Sequence, residues 1–74
     1  MEFVLVKYWR RRRVLIDGVE GGMTNVVLTA GEEGFHRFEL SPPPNYTPPR
    51  MRKLVRNTSP QFPLEVEFRH QSQP

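Results

Sequence analysis

The 74-residue sequence predicts an all-β domain, a small sandwich of five or six short antiparallel strands, with a small barrel as the alternative. Three observations predict it. Residues 35–40 (FHRFEL) and 64–69 (LEVEFR) alternate apolar and polar side chains with a period of two, as a half-buried strand does. Residues 2–9 (EFVLVKYW) are β-branched and aromatic, which suits a pleated sheet. Prolines and glycines punctuate the chain about every eight to twelve residues, the turn spacing of a sandwich.

The first segment places Val4, Val6 and Tyr8 on one side and Phe3, Leu5, Lys7 and Trp9 on the other. Apolar residues on both sides predict burial on both faces or a second face against another subunit. Val14 to Ile16 is the second strand, stopped by Asp17-Gly18, because Asp tolerates and Gly favours the positive φ of a tight turn. Gly21-Gly22 extends that turn region. Asn25 to Thr29 is the third strand, and Gly31 to Gly34 is the loop before the fourth, Phe35 to Leu40. Ser41 to Pro49 (SPPPNYTPP) lacks too many N–H groups for a central strand and reads as an extended crossover between sheets. Residues 50–58 (RMRKLVRNT) fit helical or strand spacing; nine residues between prolines make a poor helix, so a strand is expected. Leu64, Val66 and Phe68 point inward from the last strand. The domain spans residues 1–69, and residues 70–74 are expected to form a flexible tail.

A chain of this size buries only about 60% of the surface it exposes when unfolded, so its core is small. With no cysteine there is no disulfide framework, thiolate metal site or cysteine nucleophile. The apolar run Phe3 to Val6 is too short for a signal peptide or a membrane span, and the compartment stays open. Net charge is +3, and the surplus lies after Ser41, where Arg50, Arg52, Lys53, Arg56 and Arg69 face only Glu65 and Glu67. That excess permits polyanion binding without requiring it.

Residues Val14 to Pro48 resemble the PEGA-domain family, small Ig-like β-sandwich modules often found in envelope-associated proteins. The matching residues are VLIDG at 14–18, Gly22, Thr24, Leu28, GFHRF at 34–38, Leu40 and NYTP at 45–48. There is no intact Pro-Glu-Gly-Ala run; Asn25 stands where a proline is usual, and Asn45 where a glycine precedes the tyrosine. The resemblance implies an Ig-like sandwich acting as a scaffold or adhesion-type module, and brings no catalytic residues. Physically, Asp17-Gly18 turns the chain, and Tyr46 is placed to close the end of the core.

The candidate partner-binding residues are Tyr8, Trp9, Arg10, Arg11, Arg12 and Arg13, with Arg50, Arg52, Lys53 and Arg56 as a second basic cluster. Within one strand, four arginines would point in pairs to both faces, and a sandwich cannot bury unpaired charge. The run is therefore expected at a bend or on an edge, either binding phosphates or solvated and paired with Glu65, Glu67 or the Glu32-Glu33 loop. The single Trp of a small aromatic-containing domain is expected to pack rather than serve as a platform. His36, sharing a face with Phe38 and Leu40, is expected to be a hydrogen-bonded core or boundary residue. The acids do not fit calcium-loop spacing, and isolated histidines make no metal site. No nucleophile–base set or glycine-rich phosphate loop is present, so neither catalysis nor a cofactor is expected.

The reading from sequence is a non-catalytic interaction or assembly module using an exposed strand edge and a basic, aromatic-flanked patch, with a protein partner or self-association. The alternative is a small nucleic-acid-binding protein in which both basic clusters converge and Trp9 is exposed. A packed Trp9 and separated clusters are what the first reading expects.

Overall fold

The computed structural model describes residues 1–71 as β1 (Glu2–Lys7), β2 (Arg13–Ile16), β3 (Val19–Met23), β4 (Val27–Gly31), β5 (Gly34–Leu40), β6 (Tyr46–Thr47), β7 (Met51–Val55), β8 (Leu64–Glu67) and β9 (Arg69–His70). Among these residues no helix is long and apolar enough to cross a membrane. The fold is all-β. A sheet ordered β4-β1-β8 packs over one ordered β3-β2-β5-β7, and the pair β6-β9 caps one end.

The six segments read as strands are all present, and three short strands join them. The first addition is β3. Asp17 and Gly18, with φ of 54° and 82°, form a two-residue turn that sets Ile16 opposite Val19. Gly21 and Gly22 therefore belong to a strand rather than to the turn region. A Cβ on Gly22 would collide with Leu28 Cδ2, and φ there is 132°, so the glycine pair is what lets β3 lie close over the core. Asn25 takes φ of 70°, which ends the preceding turn and delays the next strand to Val27.

One pairing departs from the antiparallel expectation. β1 and β8 are parallel, with Val4 opposite Leu64 and Lys7 opposite Glu67, and Phe68 N–H continues the ladder to Lys7 O at 3.0 Å. β1 is therefore a middle strand with both edges paired, which removes it as a free edge for a second subunit. Phe3 and Leu5 on its outer face are only half-buried.

The inward phase of each strand supplies the core: Val4, Val6 and Tyr8; Val14 and Ile16; Leu28 and Ala30; Phe38 and Leu40; Val55; Val66 and Phe68. Each larger apolar side chain contributes on the order of 1.5–3 kcal/mol by leaving water. Tyr46 closes one end. Its hydroxyl donates to Leu40 O at 2.8 Å and accepts from Leu40 N–H at 3.1 Å, and its ring meets Phe68 edge-on at 5.4 Å. Contrary to the crossover expected from sequence, the proline-rich segment carrying it does not cross between the two main sheets. It leaves β5, pairs through β6 with β9, and returns as β7 beside β5 in the same sheet.

That pairing also extends the domain. His70 lies opposite Tyr46, and Gln71 N–H donates to Asn45 O at 3.0 Å, so order runs past Arg69. The remainder of the expected tail, residues 72–74, lies outside the described residues.

Candidate functional site

Between β1 and β2 the chain bends through the four arginines, as the cost of burying them demands. Thr24, almost fully buried, locks the bend. Its Oγ1 accepts from Arg12 N–H and donates to Arg10 O, both at 2.8 Å, and its own N–H donates to Arg12 O at 2.7 Å. Asn25 Oδ1 accepts from Tyr8 N–H at 3.0 Å just before it. Thr24 thus satisfies the backbone groups of Arg10 and Arg12 ahead of β2, and the four side chains diverge.

Arg12 turns inward. Its Nη1 donates to Asn45 Oδ1 at 2.8 Å and to Tyr8 Oη at 3.3 Å, and its Nη2 bonds to Ser41 O and Pro43 O. The guanidinium also lies 5.4 Å from the Tyr46 ring centroid. Arg13 pairs with Glu20 at 3.0 Å rather than with the acids expected from sequence; β2 and β3 are neighbours, whereas Glu65 is engaged by Lys7 at 3.4 Å. Arg10 and Arg11 remain exposed, without an ion pair among the described residues.

Trp9 overturns the packing expectation: it is 61% exposed. The alternation of β1 explains this. Val4, Val6 and Tyr8 occupy the inward phase, Tyr8 takes the core position, and Trp9 falls on the outside. Arg10 stacks on its ring at 4.7 Å, and the His70 ring lies 5.1 Å away, tilted by 56°. Trp9 and His70 wall an open groove of about 470 Å³ whose other lining comes from Lys7, Tyr8, Asn25, Glu67, Phe68 and Arg69. The parallel β1–β8 pair makes this groove, because it brings Lys7 to Trp9 alongside Glu67 to His70.

The second basic cluster lies elsewhere. β7 runs antiparallel to β5, with Met51 opposite Phe38 and Val55 opposite Gly34, so the cluster extends away from the Leu40 end where the arginine bend sits. Arg52 faces Arg37 across the ladder and stacks over Phe35 at 4.1 Å; Lys53 faces His36. Strand β5 lies between β2, which begins with Arg13, and β7, which carries Arg52 and Lys53. Of the candidates, the structure places Tyr8 and Trp9 at the groove, stacks Arg10 on the Trp9 ring and commits Arg12 to the proline-rich loop. Arg50, Arg52, Lys53 and Arg56 lie along the β7 edge. Lys7, Arg69 and His70 were not legible as site residues, because only the tertiary pairing of the two chain ends brings them to Trp9.

His36 is the hydrogen-bonded boundary residue expected from its face. Nδ1 lies 2.6 Å from Asp17 Oδ2 and Nε2 lies 2.7 Å from Glu32 O, so the imidazolium satisfies both. The bond to Glu32 O, then the Asp17 carboxylate, raises its pKa above the ordinary 6.5. Asp17 is lowered below 3.8 by the Arg37 N–H and then by His36. This cluster joins two turns at the end of the sandwich opposite the groove. Among the described residues no group of three or more His, Asp or Glu is placed to hold a metal ion.

The chain matches no protein-family model, and no match to it is found among curated proteins or solved structures.

Proposed function

We propose that this chain is a non-catalytic interaction module that holds a negatively charged protein segment at the Trp9–His70 groove. The observation carrying this reading is an exposed tryptophan flanked by Arg10 and His70. Exposed Trp and Arg are the residue types that dominate binding energy at interfaces. Lys7 and Arg69 outnumber Glu67 in the groove lining, and Arg10 stacks on the Trp9 ring, which favours an acidic occupant with an aromatic or apolar side chain against that ring. A scaffold role of this kind is also what resemblance to PEGA modules implies.

A second reading is single-stranded nucleic acid. The exposed Trp9 beside His70 favours it, since bases stack on such rings while arginines meet phosphates. The separation of the basic clusters weighs against it by leaving a short cationic track.

Trp9 is the single tryptophan, so its fluorescence reports the groove directly. Titration with an aromatic-containing polyglutamate peptide and with single-stranded oligonucleotides, at low and physiological salt, tests both readings. Saturable quenching by the peptide, weakened when Arg10 and Arg11 become serine, supports the first; preference for the oligonucleotide with a steep salt dependence supports the second. No response to either at low salt overturns both.

A further inference from the structure

The sandwich has one closed flank and one open flank. β3 lies beside β4, which closes the first. At the other, β7 and β8 are the terminal strands of their sheets, each hydrogen-bonded to a neighbour on one side only. The segment 56–63 arches between them and carries Phe62, which is 80% exposed. Mutual backbone bonds between Ser59 and Phe62, at 3.1 and 3.2 Å, hold that aromatic out in a tight turn. Thr58 fastens the arch to β1, its Oγ1 accepting from Phe3 N–H at 2.7 Å.

The two free edges are opposite in charge. Val55 is buried and Met51 packs on the core, so the outer row of β7 carries Arg52 and Leu54, extended by Arg50 and Arg56. Val66 is buried, so the outer row of β8 carries Glu65 and Glu67. Arg50, Arg52, Lys53, Arg56 and Glu67 make no ion pair among the described residues. Like charges along a free edge prevent it pairing with its own copy. That device keeps β7 from β7 and β8 from β8; it leaves β7 open to β8.

We infer that a second copy of this chain docks on the open flank, β7 of each copy pairing with β8 of the other to give a closed two-fold dimer. The geometry permits both junctions at once. β7 runs towards the arch and β8 runs away from it, so rotation by half a turn about an axis along the strands sets β7 antiparallel to β8 of the second copy on both sheets. Aligned by their arch ends, this places Arg52 opposite Glu67 of the second copy and Leu54 opposite Glu65 of the second copy. Phe35, on which Arg52 stacks, holds the guanidinium on the outer face where the carboxylate arrives. Both open edges are consumed, so the assembly stops at two. A chain this small gains core and sheet area by dimerising.

Sedimentation velocity of the full chain from micromolar to millimolar concentration tests this, with Arg52→Glu, Glu67→Arg, the double exchange and Phe62→Ser beside the wild type. The expected result is a monomer–dimer equilibrium weakened about tenfold or more by either single charge reversal, because each sets like charges opposite one another. The double exchange restores the dimer, as does mixing the two single variants. Phe62→Ser, which removes no hydrogen bond, weakens the dimer and serves where a charge variant folds poorly. A wild type that stays monomeric at millimolar concentration overturns the inference, as does a dimer indifferent to both reversals and to Phe62→Ser.

Discussion

The Arg12 guanidinium donates to Asn45 Oδ1 at 2.8 Å, tying the arginine bend to the proline-rich loop across the top of the core. Tyr8 and Tyr46 flank the same guanidinium. One arginine of the four is therefore a structural cross-link, while its neighbours Arg10 and Arg11 face solvent. Arg12→Ala leaves Asn45 and two carbonyls without their donor. A loss of about 1.5–3 kcal/mol is expected by urea denaturation, the range for hydrogen bonds to a charged group. Arg11→Ala is expected to stay within about 0.5 kcal/mol of the parent.

Tyr46→Phe keeps the ring against Phe68 and removes the hydroxyl that serves both Leu40 N–H and Leu40 C=O. Leaving these buried groups unpaired is expected to cost about 1–3 kcal/mol, read from the same denaturation midpoint at unchanged m-value.

The pair His36–Asp17 predicts a defined pH dependence. The folded pKa of His36 is raised, so its contribution is complete below the ordinary 6.5 and is lost as pH rises through the folded value. The folded pKa of Asp17 is lowered, so its contribution is complete above 3.8 and is lost as pH falls through the folded value. The stability difference between wild type and His36→Gln is expected to be largest between those limits and to shrink at alkaline pH. A difference that stays flat from acid to alkaline pH contradicts this account of the cluster.

Gly22→Ala places a methyl group against Leu28 at a φ that L-residues rarely adopt. It is expected to cost about 1–3 kcal/mol, the range for a strained backbone position, with the steric conflict adding to it. Gly31→Ala meets nothing within 4 Å and carries only the strain of φ 81°, so it is expected to cost less. Thermal melts of the two variants give the comparison.

Trp9→Ala is expected to shift stability by no more than about 0.5 kcal/mol, since the ring is on the surface. The same variant should abolish ligand capture at the groove, measured by anisotropy of a labelled acidic peptide. Loss of stability without loss of capture would make Trp9 a packing residue after all.

Local chemistry explains which elements were readable from sequence. Asp17-Gly18 announces a turn because few dipeptides tolerate two positive φ values, and residues 64–68 announce a strand through unbroken alternation. The β1 alternation likewise puts Trp9 outside, and only the general tendency of a lone Trp to pack argued otherwise. Gly21-Gly22 misled because two glycines resemble a turn unless Ile16 and Leu28 are known to press on them. The groove had no local signal, since Trp9 and His70 come from opposite ends of the chain and meet through a parallel pairing. The inward turn of Arg12 depends on Thr24, whose role as a lock is invisible until the bend is folded.

The parallel pairing of β1 with β8 also governs how the domain carries load. Glu2 begins β1 at one end of the sandwich, and His70 follows β8 at the other. Tension applied between these points pulls the two strands along their length in opposite senses, so the ladder from Val4–Leu64 to Lys7–Glu67 is sheared as a block. The β2–β3 hairpin, pulled at its open end, would instead peel one bond at a time. Forced unfolding is governed by the unfolding barrier, and in this geometry the load falls on the parallel ladder between β1 and β8.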